Sequence, residues 1–241
     1  MYNNDKAVVG AQIVGERPIA EVQKHVFAKT PEYTVSNKKI IYRAIKRIAD
    51  FFCALLGVII FSPVFVIIAI LIKKEDLKAS VFFTHSRVGI NGEEINILKF
   101  RSMLSNAEAL IAKFTPEQKK EYEENYKLHN DPRITKIGHF LRKTSLDELP
   151  QLINILSGDL SIVGPRPIVT DELEKYKENK NKFLSVKPGL TGYWQVNGRS
   201  DTTYDERIEL EMYYVNHCSL WLDIKIMFKT VAVVFNRNGA K

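Results

Sequence analysis

The sequence predicts an α+β, mostly helical protein that is monotopic, with a re-entrant helical hairpin in the membrane, a small β element and surface amphipathic helices. Three observations predict this class. Residues 51–72 carry no charge, basic residues flank that run on both sides, and the chain beyond Lys78 has the composition of a water-soluble domain. The expected organisation is a cytosolic N-terminal extension at 1–38, a membrane-embedded hairpin at 39–75, and a cytosolic domain at the membrane surface at 76–241.

Composition limits the class of protein. The 241 residues include 35 lysines and arginines against 28 acids, a formal net charge of +7, and 45% of residues are hydrophobic. These values lie near the globular average and exclude a disordered, collagen-like or polytopic membrane chain. The two cysteines, Cys53 and Cys218, exclude a disulfide scaffold and favour a reducing compartment. The basic balance predicts an anionic partner, such as a membrane surface, a nucleic acid or a phosphorylated substrate.

The extension at 1–38 is polar and weakly periodic. It has no basic patch followed by an apolar core, so it does not have the pattern of a signal peptide. Nothing in its sequence assigns it a role.

The apolar run at 51–72 reads FFCALLGVIIFSPVFVIIAILI. As a helix it is roughly 33 Å long, at about 1.5 Å per residue, which is enough to cross the hydrocarbon core of a bilayer. A helix buried in a soluble core is the alternative explanation. The run is apolar on every face and unusually long, which favours the membrane.

Two features favour a hairpin over a simple crossing. Pro63, at the middle of the run, removes a helical hydrogen bond and predicts a kink or break, and the Ser62 hydroxyl can bond to the freed carbonyl. Both flanks are basic, which favours the cytoplasmic side for each end. Ser62 and Pro63 are therefore the predicted membrane break, and a bitopic helix is the alternative. The flanking bases are Lys38, Lys39, Arg43, Lys46 and Arg47 before the run, and Lys73, Lys74 and Lys78 after it.

Beyond Lys78 the pattern predicts short strands and short helices. Apolar alternation predicts strands at 81–83 and 95–100 around an Asn91-Gly92 turn. Helical patterns follow at about 105–128, 137–141, 149–156 and 171–183.

The last helical pattern, at about 220–235, has apolar residues at helical spacing with Lys225 and Lys229 between them. It can lie on lipid headgroups, with Trp221 as an interfacial anchor. Packing on the protein core is an equally good explanation, and the sequence leaves both open.

Two adjacent carboxylates, Asp147 and Glu148, stand in the run RKTSLDELPQL. A capping box from Ser145 to Glu148 explains them without any chemistry. Pro150 argues against that box, because a proline beyond the first turn costs a hydrogen bond, whereas a helix that starts near Asp147 accommodates it. Both carboxylates are then free. One can attack phosphorus while the other helps to hold Mg²⁺, which needs only one or two carboxylates besides substrate phosphates.

Arg166, in the run GPRP, is a candidate for binding phosphate. Its neighbouring prolines stiffen the backbone, and a guanidinium can clamp phosphate with two hydrogen bonds. An arginine that meets solvent on a rigid loop is the alternative.

Other candidate binding residues lie in weaker motifs. The glycine-rich run from Lys187 to Arg199 permits close approach of a ligand and contains Gln195, Asn197 and Arg199 itself. Lys99, Arg101 and Arg133 add charged groups at turns or strand ends, where a solvated role is the alternative.

Several common sites are absent from the sequence. The five histidines show no metal-ligand spacing, and neither a G-x-S-x-G elbow nor a Walker loop occurs. The basic residues do not alternate with an aromatic stacking platform, which disfavours a nucleic-acid partner.

Taken together, these motifs resemble the bacterial sugar transferase family, the monotopic phosphoglycosyl transferases. The resemblance runs from about Lys39 to Arg237 and rests on six motifs in order, each of which is weak alone. The motifs are the apolar segment with Ser62-Pro63, KFRSM from Lys99, DPRIT from Asp131, TSLDELPQ from Thr144, GDLSIVGPRP from Gly158, and KPGLTG from Lys187 through QVNGR.

The resemblance implies an enzyme that moves a sugar 1-phosphate from a UDP-sugar to undecaprenyl (polyprenyl) phosphate, releasing UMP. This would be the first membrane step of exopolysaccharide, capsule or glycan assembly. It implies that Asp147 is the nucleophile, through a covalent aspartyl-phosphosugar, and that Glu148 and Asp147 bind the Mg²⁺ cofactor. Lys99, Arg142 and Arg166 are the implied phosphate-binding residues. The implied location is the cytosolic leaflet of the bacterial inner membrane, with membrane lipids as partners.

A non-catalytic, membrane-anchored adaptor of a polysaccharide assembly complex is the alternative from another class. It would need the basic flanks and the anchor, but neither the Asp-Glu pair nor Arg166. The sequence also leaves open the pathway, the formation of a homodimer, and the sugar, with a slight preference for galactose or glucose.

Overall fold

The computed structural model describes residues 37–125, 128–129, 131–198 and 202–235. These residues are mostly helical and include two small sheets, which confirms the expected α+β class. The N-terminal extension, but for its last two residues, and Arg199 lie outside the described residues.

The chain begins with one long apolar helix, α1, over Asn37–Glu75. By length and composition it could cross a membrane, and only 11% of its most apolar stretch is buried. A helix from the core of a soluble protein would be mostly buried, so this exposure argues against the core-helix alternative. Exposed apolar side chains along it include Phe52, Leu56, Ile59, Ile60, Val66 and Ile67.

The helix α1 passes through Pro63 without interruption, so the predicted break is not seen in its backbone. The Ser62 hydroxyl donates a 2.8 Å hydrogen bond to the Ile59 carbonyl, four residues before Pro63. That carbonyl is the one deprived of its usual donor, because proline has no N–H. The hydrogen bond expected of Ser62 is therefore present, while its role at a membrane break and the hairpin itself stay predictions.

Shorter elements form the domain that follows. The first half contains β1 (Phe82–Val88), β2 (Glu94–Phe100), α2 (Ala107–Ile111), α3 (Pro116–Asn125), α4 (Lys136–Thr144) and α5 (Gln151–Ser157). The second half contains β3 (Ser161–Val163), α6 (Thr170–Leu173), α7 (Lys180–Phe183), β4 (Gly189–Thr191), α8 (Tyr193–Asn197), α9 (Tyr204–His217) and α10 (Leu220–Phe235).

Strands β1 and β2 form the predicted antiparallel hairpin. Their register runs from Phe82 opposite Phe100 to Val88 opposite Glu94. The connecting turn has Asn91 at φ 56°, in the left-handed region that asparagine tolerates. The second sheet, parallel β3 and β4, was not predicted, because three-residue strands leave no periodic pattern.

The helix predicted at 171–183 is wrong as a single element. Lys177 has φ 48° and ψ −125°, so a 3-10 stretch at Glu174–Asn179 separates α6 from α7. The pattern at 105–128 likewise divides into α2 and α3, where Pro116 takes the first helical position. Helix α9 was missed, although Thr203 and Glu206 form a capping box at its start.

One face of α1 packs on this domain on both sides of Pro63. Ala54 is fully buried with Ile155 of α5 and Ile97 of β2. Beyond Pro63, Ile68 packs in a second cluster with Phe100. The same domain therefore contacts both halves of the helix.

Helix α10 confirms the expected packing on the core, and its placement on headgroups stays a prediction. Its inner face packs on the core, where Ile226 contacts Val163 and Tyr214. Its outer face exposes Trp221 and Phe228, whose side chains are 65% and 75% accessible. The outer face is thus available to an apolar environment.

Candidate active site

Asp147 and Glu148 lie on a 3-10 turn, Leu146–Glu148, between α4 and α5. Helix α4 ends at Thr144, and the next residue, Ser145, reverses the chain with a φ of 56°. The Ser145 side chain makes no capping bond, so the capping box is not formed. Pro150 stands just before α5, at its N-cap position. Helix α5 therefore starts at Gln151, later than the expected start near Asp147, and the two carboxylates have no capping role.

Close packing places this turn beside the end of β2. A Cβ atom at Gly138 would lie 2.0 Å from the Ser102 carbonyl oxygen, so only glycine allows α4 to approach this closely. At the other end of α4, Arg142 Nε donates to Ser102 Oγ at 2.9 Å. These contacts hold the C-terminal end of α4, and the acidic turn after it, against the segment that follows β2.

Lys99, on β2, contacts both carboxylates. Its Nζ donates to Glu148 Oε1 at 2.7 Å and lies 3.9 Å from Asp147 Oδ2. The Asp147 side chain is only 14% accessible, whereas that of Glu148 is 29% accessible. Burial raises the pKa of Asp147; the charge of Lys99 opposes that rise, Glu148 adds to it, and Arg142 opposes it.

Replacing Lys99 by methionine is expected to raise the pKa of Asp147 further, because the largest opposing charge is lost. The carboxyl group would then stay protonated to a higher pH. Carbon-13 NMR of the aspartate carboxyl groups, followed against pH, measures this. Lys143→Met, an exposed change on α4, is the control. An unchanged Asp147 midpoint in Lys99→Met would contradict the assignment of Lys99 as its main charge partner.

Among the described residues, Arg133 is paired with Asp131 and forms no ion pair with Asp147 or Glu148. Its Nε and Nη2 donate to the two carboxylate oxygens of Asp131 at 2.8 and 2.7 Å, and both side chains are buried. The guanidinium also lies over the rings of Phe114 and Tyr122. These contacts occupy two of the three guanidinium nitrogens, so Arg133 holds the segment before α4 and its binding of phosphate stays a prediction.

Three other candidates are engaged with the protein itself. Arg101 Nε donates to the Ser80 carbonyl at 3.0 Å. Asn197, on α8, accepts from Lys229 Nζ at 2.8 Å and so joins α8 to α10. Gln195 lies on the same short helix and also interacts with the protein.

Arg166 follows β3 and lies near an arginine that the sequence analysis missed. Burial, and then the like charge of Arg166, lowers the pKa of Arg87 on β1, while the charge of Glu172 opposes this. Neither guanidinium forms an ion pair with a carboxylate of the described residues. Two guanidinium groups that lie near each other without a paired carboxylate can bind an anionic ligand, and the charge of Glu172 only partly opposes the effect of Arg166 on Arg87.

The strand register connects this arginine pair to the carboxylates. Phe83 is paired with Lys99, and alternate residues share a face, so His85 and Arg87 lie on the same face of the hairpin as Lys99. Desolvation, then the charges of Arg87 and Lys99, lowers the pKa of His85 to about 4. We call the set of Lys99, Arg87 and Arg166 the basic row. Lys99 lies beside Asp147, Arg87 lies further from it along this face, and Arg166 lies near Arg87. The hairpin alternation could have indicated Arg87, but no motif marks it.

Helix α9 supports the Arg166 end of the basic row. Glu211 of α9 is buried and accepts from the Tyr176 hydroxyl and from Arg207 Nε. It also accepts a long bond, 3.4 Å, from the Arg166 backbone N–H. The ring of Trp194 lies within 5.8 Å of the Arg166 guanidinium and 4.7 Å of that of Arg207. Sequence reasoning missed Arg207 and Glu211 because it missed α9.

The acidic turn has the donors that Mg²⁺ prefers, but few of them. Among the described residues, no group of three or more His, Cys, Asp or Glu side chains is arranged to hold a metal ion. Asp147 and Glu148 offer two adjacent carboxylates. A Mg²⁺ ion here would need further oxygen ligands from a bound substrate or water, which is its usual mode of binding in phosphoryl-transfer sites.

Comparison with known proteins adds a family match and curated relatives. Residues 41–237 match the family model described as Bacterial sugar transferase. The chain is 46% identical over 201 residues to the undecaprenyl-phosphate galactose phosphotransferase of Salmonella typhimurium, an alignment that covers 82% of this chain and 42% of that protein. It is 39% identical to the UDP-glucose:undecaprenyl-phosphate glucose-1-phosphate transferase of Escherichia coli, covering 83% and 42%.

A shorter relative aligns over most of its length. The exopolysaccharide production protein ExoY of Rhizobium meliloti is 43% identical over 198 residues, which are 81% of this chain and 87% of that protein. The chain thus spans less than half the length of the Salmonella and Escherichia relatives, and most of ExoY.

Proposed function

Because this chain belongs to the bacterial sugar transferase family, we propose that it transfers a sugar 1-phosphate from a UDP-sugar to undecaprenyl phosphate. The observation that carries the proposal is the buried Asp147 carboxylate, which lies beside Lys99 at the start of the basic row. The relatives act, by name, on galactose and glucose donors, and ExoY serves exopolysaccharide production. We therefore propose hexose transfer in exopolysaccharide synthesis.

Asp147 is the proposed nucleophile. One carboxylate oxygen attacks the phosphorus that bears the sugar, and the bond from that phosphorus to the oxygen of the uridine monophosphate breaks, so that UMP leaves. An oxygen of the lipid phosphate then attacks the same phosphorus, and Asp147 leaves as a carboxylate. Each step forms one P–O bond and breaks another, so one difficult transfer is divided into two easier ones.

The basic row is proposed to hold the donor's diphosphate. Phosphoryl transfer depends above all on positioning and on neutralising phosphate charge. Lys99 stands beside the nucleophile, Arg87 lies further along the same hairpin face, and Arg166, which follows β3, lies near Arg87. Neither arginine forms an ion pair among the described residues. A Mg²⁺ ion held by Glu148 and Asp147 would neutralise further phosphate charge when bound.

Replacing Arg166 by lysine is expected to lower kcat/KM by about tenfold or more, because a point charge cannot replace a two-pronged guanidinium contact with phosphate. Arg101→Lys is the comparison, since that guanidinium faces the Ser80 carbonyl and should matter less. Steady-state release of UMP measures both variants. Equal activity of Arg166→Lys and the unaltered protein would assign Arg166 a purely structural role.

The contacts of α1 support a helix whose two ends stay on one side of the membrane. Near its start, Arg43 Nη2 donates to the Ser185 carbonyl at 2.9 Å. At its end, Glu75 accepts from the Ile137 N–H at 2.9 Å. A helix that crossed the bilayer would separate its ends by about 30 Å of hydrocarbon, so one domain could not contact both. We propose a re-entrant α1 in the cytosolic leaflet, with the outer face of α10 on the headgroups.

Single cysteines at Lys39 and Lys78 test this topology, after Cys53 and Cys218 are replaced by serine. In intact cells, we expect neither cysteine to react with a membrane-impermeant maleimide, and both to react after lysis. A periplasmic cysteine on an unrelated membrane protein is the positive control for labelling. Reaction of either end outside intact cells would establish a bitopic helix instead.

The proposed activity is tested with the full chain, a panel of UDP-sugars and undecaprenyl phosphate, by measuring UMP. One UDP-hexose should support continuous turnover with acceptor, and a single burst of about one UMP per protein without it, as expected of a covalent intermediate. If no donor releases UMP, the non-catalytic adaptor becomes the better explanation.

A further inference from the structure

A second basic pocket lies at the opposite end of α5 from the carboxylates. It encloses about 200 Å³ between the first turns of α1, the start of β3 and the segment before β4. Its lining includes Arg43, Lys46, Arg47, Asp50, Ser161 and Lys187.

The acids in and beside this pocket already bind other groups of the protein. Asp50 accepts from Ser161 Oγ at 2.7 Å and from the Ile162 N–H at 3.1 Å. Lys46 Nζ is 2.9 Å from the buried Asp223 carboxylate, which neutralises it. Asp50 keeps its negative charge and lies 4.0 Å from Lys46 Nζ. The other three cations of the lining, less Asp50, therefore leave a net excess of two positive charges.

Those three cations, Arg43, Arg47 and Lys187, form no ion pair with the described acids. Among the described residues, Arg43 bonds to the Ser185 carbonyl, and Arg47 bonds to the carbonyls of Ile155 and Leu156 at the end of α5. Lys187 makes no hydrogen bond to the described protein. Burial, and then the charge of Arg47, lowers the pKa of Lys187, which Asp50, Asp159 and Glu93 partly oppose.

The two inner cations converge on one point. A Cβ on Gly158 would lie 3.4 Å from Arg47 Nη2 and 3.6 Å from Lys187 Nζ, so these nitrogens are no more than 7.0 Å apart. Like charges held this close in a partly buried pocket repel each other. An anion between them would relieve that repulsion and accept from both donors.

The pocket also lies at a defined depth relative to the apolar helix. Arg47 precedes the uncharged run at Phe51 by four residues, or about 6 Å of helix. This step rests on the proposed membrane placement of α1: with the run in hydrocarbon, the pocket stands at the level of lipid phosphates.

We infer that this pocket binds the phosphate group of an anionic membrane lipid, with Arg43, Arg47 and Lys187 as donors. It is separate from the reaction site. Glu148 lies just before α5, whereas Arg47 bonds to carbonyls at the far end of α5. At about 1.5 Å per residue, these two ends are about 12 Å apart along the helix axis. The bound lipid would therefore orient the domain on the membrane, while the acceptor phosphate must reach Asp147.

Native mass spectrometry of the full chain in detergent tests this inference, with phosphatidylglycerol, phosphatidylcholine and inorganic phosphate as probes. We expect phosphatidylglycerol to bind at least tenfold more tightly than phosphatidylcholine. Lys187→Gln, alone and with Arg43→Gln, should remove most of that preference, and Lys187→Arg should retain it. Lys119→Gln with Lys120→Gln removes the same charge from the exposed surface of α3 and is the matched control.

Two outcomes would overturn the inference. The first is that the Lys187 and Arg43 variants still prefer phosphatidylglycerol over phosphatidylcholine as strongly as the unaltered chain does. This outcome counts when the variants, without lipid, melt at the same temperature as the unaltered chain. The second is inorganic phosphate binding as tightly as phosphatidylglycerol, which would make the site one for free phosphate. Asp147→Asn should bind the lipid normally, so this result is independent of the proposed reaction.

Discussion

Replacing Asp147 by asparagine is expected to reduce sugar-phosphate transfer by about 10³-fold or more, because an amide of the same shape cannot attack phosphorus. The environment of Asp147 makes it the better nucleophile of the pair. Its side chain is the less accessible of the two, and burial raises its pKa. A carboxylate with a raised pKa is a stronger nucleophile when ionised, and the charge of Lys99 favours the ionised form.

Two measurements check this prediction. UMP release gives the rate, and a donor labelled in the phosphate next to the sugar shows whether label stays on the denatured protein when no acceptor is present. Asp171→Asn, an exposed acid in the first turn of α6, is the matched control. Full turnover by Asp147→Asn, or label that persists in it, would remove Asp147 from the nucleophile position. Membrane association should be unchanged.

Replacing Glu148 by glutamine is expected to lower activity by about 10²-fold and to raise the Mg²⁺ concentration needed for half-maximal rate, because a metal-ion effect of several kcal/mol is weakened. A second consequence concerns pH. The Glu148 charge raises the pKa of Asp147, so its removal should lower that pKa. The acid side of the pH–rate profile would therefore move to lower pH, opposite to the shift expected from Lys99→Met.

Titration of activity with Mg²⁺, and with EDTA for its removal, measures the effect. Glu178→Gln changes an exposed glutamate far along the chain from the acidic turn and is the control. If Glu148→Gln kept the Mg²⁺ dependence of the unaltered protein, then Glu148 would serve mainly as the partner of Lys99.

The acidic turn was predictable because its signals are local. Pro150 is incompatible with a capping box at Ser145, and the structure has no such box, although α5 begins at Gln151 and not near Asp147 as expected. Arg133 was not predictable in the same way. Its charge is visible in the sequence, but its burial against Asp131 depends on the packing of Phe114 and Tyr122 over the guanidinium.

Residues without a motif were missed even where they border the site. Arg87 becomes notable only because the hairpin register and the approach of Arg166 bring two guanidinium groups near each other. Glu211 becomes notable only because α9 buries it beside Arg207 and the Arg166 loop. In each case the partner is distant in sequence, so no local pattern can indicate it.

The sequence by itself determined the properties that depend on a few neighbouring residues: the uncharged length of α1, the Ser62 bond beside Pro63, the Asn91 turn and the family motifs. Only the tertiary structure decided which charges meet. Lys99 and Glu148 are 49 residues apart in sequence and 2.7 Å apart in space. The reason is physical: the availability and the pKa of a charged group depend on its burial and its nearest charges, and packing between distant segments sets both.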